Sequence, residues 1–302
     1  MKRLTPALLS LLLIGLTACA GISLSGPYRE YEIQFEDAAP AALGASPTDE
    51  ELINAAAWLI RHKLELPFPA AIKAYVYVNQ ATLVGGLVKV AGDTTDEAWD
   101  KGRYAAGVAS RSGLFLRGDY LARMHRVARV GLFAHELAHV SQAKLREGGR
   151  GRAPQWMLEG HADWVKIRVL DLLRYRSYAE SRAHLVRTVV GSPTPITLFP
   201  RLQELDTNHA WISATNKLGP AATYCQAFLA VDWLVERYGS AKVTEFLGQS
   251  SPESNPRERW AKAFPIPLRQ FSDEFRARLE NLTGAMPAGE EGNLAALQPS
   301  CG

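Results

Sequence analysis

The sequence predicts an α+β fold that is mainly helical, with a small sheet towards the front and a helical C-terminal half. Three observations point there. The β-rich runs, around Tyr31–Phe35, Ala74–Val78 and Ser112–Leu116, all lie early in the chain. From about Tyr120 onward apolar residues recur at helical spacing, and Gly or Pro punctuates the segments. With 302 residues, of which 47% are hydrophobic and 22% charged, the chain has enough apolar side chains for a sizeable core and no signature of disorder.

Taken in order, Met1–Pro6 is basic and Ala7–Ala18 apolar, too short a run for a membrane span, so residues 1–18 read as a secretory leader. Leu16-Thr17-Ala18-Cys19 resembles the bacterial lipobox. That resemblance implies that Cys19 is lipidated and becomes the first mature residue, anchoring the protein to a membrane at the cell envelope. Ala20, where an Asp is absent, is similar to lipoproteins forwarded to the outer membrane, which would leave the protein facing the periplasm. The alternative is a plain leader with an incidental cysteine.

Residues 19–47 read as a tether plus a short strand. Thr48-Asp49-Glu50-Glu51 is a capping-box pattern, and Leu52, Ile53, Ala56, Leu59 and Ile60 continue it as an amphipathic helix to about Lys63, stopped by Pro67 and Pro69. Ala74–Val78 is a strand and Asp93–Lys101 a short helix, while Tyr104–Ala109 and Ser112–Leu116 form a hairpin. A long helix is expected from about Tyr120 to Glu147, with Lys144 and Arg146 in its last turn and Gly148-Gly149 beyond. Gly131 in its middle costs about 1 kcal/mol against Ala, which marks a close packing contact. Further helices are expected after Pro154, over Ser177–Val190, from Ala221 to the stop at Gly239, and over Val243–Leu247 and Pro267–Leu282. Residues 48–284 then form one domain and 285–302 a loose tail.

The chemistry concentrates in His135-Glu136-Leu137-Ala138-His139. Residues four apart on a helix share a face, so His135 and His139 can offer imidazole nitrogens to one ion, a pairing that suits zinc. Glu136 projects beside the pair, where a carboxylate could take a proton from a metal-bound water. Downstream, Pro154-Gln155-Trp156-Met157-Leu158-Glu159-Gly160-His161-Ala162-Asp163 brings a third candidate ligand, Glu159. Asp163 follows four positions later on the same face, placed to accept the spare ring N–H of a metal-bound histidine.

At these residues the chain resembles the gluzincin metallopeptidases, and within them the peptidase MA-like group, in which His-Glu-x-x-His is followed by a Trp-x-x-Glu-Gly-x-Ala helix. The resemblance implies a zincin-like domain over 48–284. It further implies that His135, His139 and Glu159 hold Zn2+, that Glu136 is the general base, and that a peptide or protein is the substrate. It also implies an edge strand just before the zinc helix that binds extended peptide by backbone pairing. Ser112–Leu116 is the candidate, with an ordinary interior strand as the alternative. Gluzincins place a Tyr or His beside the developing oxyanion. Tyr224 is chosen here because it opens its helix as in the peptidase MA-like group, with His209 in the polar Asp206–His209 loop as the second candidate.

Lys and Arg number 34 against 31 acids, a net charge of +3 that becomes near-neutral without Lys2 and Arg3, so charge gives no case for nucleic acid. Cys225 and Cys301 are the two thiols besides Cys19, and a disulfide between them stands against a buried free Cys225. Competing readings remain open: hydrolysis of another amide, a zinc-binding envelope scaffold without activity, or a peptide-binding lipoprotein.

Overall fold

The computed structural model describes residues 27–284 apart from 36–37, 41, 104, 148–152 and 250–255. The leader, Cys19, Tyr104, Gly148-Gly149 and the tail with Cys301 lie outside the described residues. The architecture is α+β and mainly helical, with a four-stranded mixed sheet ahead of the long helices.

β1 (Arg29–Gln34) leads to α1 (Asp49–His62), whose Thr48 and Glu51 form the expected capping box. β2 (Ala71–Tyr77) follows, then α2 (Gln80–Gly86), a π-helical turn at Leu87–Ala91, and α3 (Thr95–Gly102). The hairpin is β3 (Gly107–Ser110) and β4 (Gly113–Arg117). Strand order is β1-β2-β4-β3, with β2 and β4 parallel and the other two pairs antiparallel.

Side chains alternate across this sheet, so it serves two cores. Ala74, Val76, Leu114 and Leu116 join the main core with α1 and the later helices. Tyr75, Tyr77 and Phe115 face the other way, where Leu83, Val84, Leu87 and Ala98 cover them. That two-sided burial corrects one expectation. Leu114-Phe115-Leu116 is apolar on both faces, which demands an interior strand, and β4 is buried throughout between β2 and β3. The smaller Gly107-Val108-Ala109-Ser110 forms the edge instead.

The long helix begins later than its sequence suggests. A short α4 (Gly118–Leu121) precedes α5 (Arg126–Leu145), and His125 caps α5 by accepting from the Ala128 N–H at 3.4 Å. α6 (Gln155–Leu172) and α7 (Tyr178–Val190) follow. Two 3-10 turns, Ile196–Leu198 and Leu202–Leu205, lead into α8 (Asn208–Leu218). The 206–209 segment is thus no loop over the site: Thr207 caps α8 through its bond from the Ala210 N–H, and His209 sits exposed in the first turn. A 3-10 turn at Pro220–Ala222 opens α9 (Tyr224–Tyr238), and α10 (Ser240–Gly248), α11 (Pro256–Ala263) and α12 (Leu268–Gly284) complete the chain.

α5 packs on α1, β3 and α6, and α6 packs on α9. Gly160 permits the last contact, since a methyl group there would stand 2.3 Å from the Ala227 carbonyl oxygen. Cys225 on α9 is fully buried and disulfide-bonded, its partner lying outside the described residues. Among the described residues no helix is long and apolar enough to cross a membrane.

Candidate metal centre

α5 and α6 lie side by side, and each turns one polar stripe towards the other in an otherwise apolar interface. His135 and His139, one turn apart on α5, meet Glu159 from the start of α6. Their Nε2 atoms are 3.2 Å apart, and Glu159 Oε2 is 3.3 Å from His135 Nε2 and 3.5 Å from His139 Nε2. The structure therefore brings together the three expected ligands, and this cluster could hold a metal ion.

The other ring nitrogens decide which lone pairs point inward. Asp163 Oδ1 accepts from His135 Nδ1–H at 2.9 Å, and Gln142 Oε1 accepts from His139 Nδ1–H at 3.0 Å. With both protons on Nδ1, both Nε2 atoms present bare lone pairs to the carboxylate oxygen. Three lone pairs converging without a donor repel one another unless a cation sits between them. A proton is one such cation. Burial pulls the two imidazoles' pKa values down, but the acceptors around them outweigh it: Asp163 and Glu159 raise His135, and Glu159 raises His139. Burial would raise the Glu159 carboxyl, yet the two histidines hold it below its ordinary range.

Glu136 stands next to the triad without joining it. Burial raises its carboxyl, opposed by His135 and His139 and by the Ala109 N–H that faces it. β3 passes close by: a methyl group on Gly107 would come within 3.0 Å of Glu136 Cγ and 3.2 Å of its Oε1. Since the Arg117 N–H donates to Ala106 O, alternate residues of this strand turn the other way, and Gly107 and Ala109 present their peptide groups away from β4.

Compared with known proteins, the chain matches no family model, no curated protein and no solved structure.

Tyr224, at the head of α9, reaches the centre: its ring centroid is 6.5 Å from that of His135, and Trp211 meets it edge-on at 4.8 Å. Burial raises its phenol, reinforced by the charges of Glu159, Asp163 and Glu136. His209 shows no contact with the cluster among the described residues, and Cys19 lies outside them. Four further side chains, Gln142, His161, Gln155 and Lys166, surround the cluster, and the sequence assigned none of them a role. Gln142 donates to Leu158 O at 2.8 Å and to His161 Nδ1 at 3.2 Å while holding His139. His161, kept neutral by burial and by His139, which lower its pKa to about 3, closes that chain of bonds. Gln155 Nε2 donates to Glu159 Oε1 at 2.6 Å, and Lys166 Nζ lies 2.7 Å from Asp163 Oδ1. Each amide or ammonium sits three or four residues from the group it serves, a helical spacing that could have found it.

Proposed function

We propose that this chain is a zinc metallopeptidase, hydrolysing peptide bonds at the bacterial cell envelope. The observation that carries the reading is the convergence of His135 Nε2, His139 Nε2 and Glu159 Oε2 beside Glu136, a buried carboxylate outside that triad. Ligand bonds of about 2.0–2.1 Å in a tetrahedral zinc site imply ligand separations of about 3.3 Å, and the three separations here are 3.2, 3.3 and 3.5 Å. When bound, zinc supplies Lewis acidity, lowering the pKa of a water and polarising a carbonyl.

The protein's own groups do the rest. Glu136 is buried beside the triad, close enough for His135, His139 and Glu159 to act on its charge, and is the candidate to take a proton from a water held there. Asp163 and Gln142 keep the two imidazoles in the tautomer that ligates. The outward peptide group of Gly107 and the carbonyl of Ala109 support binding of an extended peptide along β3, with backbone pairing supplying affinity and presenting the scissile bond to Glu136. Tyr224 is the candidate donor for the oxyanion. A silent scaffold fits less well. Structural zinc closes with four protein ligands, whereas three converge here among the described residues, next to a base. The envelope location rests on the leader and the Leu16–Cys19 motif of the sequence.

The test is metal analysis of the purified protein followed by a peptide-library cleavage assay with and without chelator. His139→Ala should lose the metal. Glu136→Gln should keep it and lose activity by something on the order of 10²-fold or more. A Glu136→Gln protein that cleaves as fast as the parent would sink the mechanism.

A further inference from the structure

We infer that Gln155 is a positioning residue that commits Glu159 to offering one carboxylate oxygen, not two, to the ion; this rests on the metal-centre reading above. A carboxylate can ligate through either or both oxygens, and the choice decides how many positions stay open for water and substrate. Here the two oxygens have separate duties. Oε2 faces His135 Nε2 at 3.3 Å and His139 Nε2 at 3.5 Å, while Oε1 accepts from Gln155 Nε2 at 2.6 Å.

Gln155 is built to hold that bond. It is the first residue of α6 and four before Glu159, so the two side chains share a face one turn apart. Its backbone N–H donates to Asp206 O at 2.9 Å, fixing the first turn of α6 to the segment before α8. Its side chain is buried, with the residue 3% exposed. The amide's own oxygen is buried with no partner among the described residues, so no second bond pulls the amide away from Glu159. Leaving that acceptor unpaired is costly, and the donor at the other end accounts for an amide at this position. A neutral donor also suits the task, since Lys or Arg would compete with the ion for the carboxylate's charge.

The experiment uses the full chain with zinc, and with cobalt(II) as a spectroscopic probe. Gln155→Met keeps the length and removes the donor. It should weaken zinc in a chelator competition by roughly 10–100-fold, and should dim the cobalt visible bands as the freed carboxylate adds its second oxygen. In a Glu159→Ala background the same substitution should change zinc affinity by less than about twofold. Should Gln155→Met fail to fold, Gln155→Asn, which draws the amide back by one methylene, carries the same expectation. Parental affinity and spectrum in the variant, or an equal loss of affinity in both backgrounds, would overturn the inference and leave the metal centre standing. A wild-type chain that takes up neither metal would overturn the metal-centre reading, and the inference with it.

Discussion

A histidine offers a lone pair to an ion only when its other nitrogen has somewhere to put its proton, and at this centre both have such a place. The proposed hydrolysis would gather negative charge on a carbonyl oxygen as it is attacked, and a donor must meet it. Tyr224 is held beside His135 by its place at the head of α9 and by Trp211, and burial with three nearby carboxylates keeps its phenol protonated. A protonated hydroxyl is what an oxyanion needs. Tyr224→Phe should therefore leave metal content and KM nearly intact and lower kcat by roughly 10²–10³-fold, the scale for one lost oxyanion donor. Steady-state kinetics on the best library peptide would decide it. Full kcat in Tyr224→Phe, with loss in His209→Ala, would move the role to His209.

Among the elements, the α5–α6–α9 stack sets the centre, and its two glycines differ in kind. Gly160 lets α6 lie against the backbone of α9, whereas a methyl group at Gly131 on α5 would meet only the Lys166 stem at 3.4 Å and Leu170 at 3.9 Å. The first is a backbone contact that cannot give; the second is ordinary packing against a flexible side chain. Gly160→Ala should cost about 1–3 kcal/mol through overpacking, while Gly131→Ala should be neutral or gain up to about 1 kcal/mol of helix propensity. Chemical denaturation of the two variants beside the parent measures both. Equal destabilisation by the two substitutions would show that neither contact has been read correctly.

For the molecule as a whole, Asp206 links the stability of the fold to pH. Burial pushes its carboxyl up to about 6 from an ordinary 3.8. Between those two values the folded state binds more proton than the unfolded one, so this group's contribution to stability falls as pH rises from about 4 to 6 and stays low above that. The sign is opposite to that of a salt-bridged carboxylate. Because its backbone oxygen holds the first turn of α6, the substitution must spare the main chain. Asp206→Asn should raise Tm at pH 7.5 and leave it unchanged near pH 4, read by thermal unfolding at both. A gain of the same size at both pH values would remove ionisation from the explanation.

What the sequence determined by itself is what lies within one turn of helix or one strand. His135 with His139, Glu159 with Asp163, and Thr48 with Glu51 are legible because a helix fixes which residues share a face and which residue caps it. The helical C-terminal half and the hairpin ahead of α5 were legible for the same local reason. Contacts between distant segments belonged to the tertiary structure. It set the α5–α6 pairing that brings His135, His139 and Glu159 to within 3.5 Å of one another, the seating of Tyr224 near His135, and the choice of β3 over β4 as the sheet edge among the described residues. It also chose which polar neighbours serve the ligands. Helical spacing made Gln142, Gln155 and Lys166 eligible, but only the packing of the helices buries the two glutamines and half-buries Lys166 where each has a specific group to hold, because burial is what makes an exposed group's indifferent hydrogen bond into a constraint.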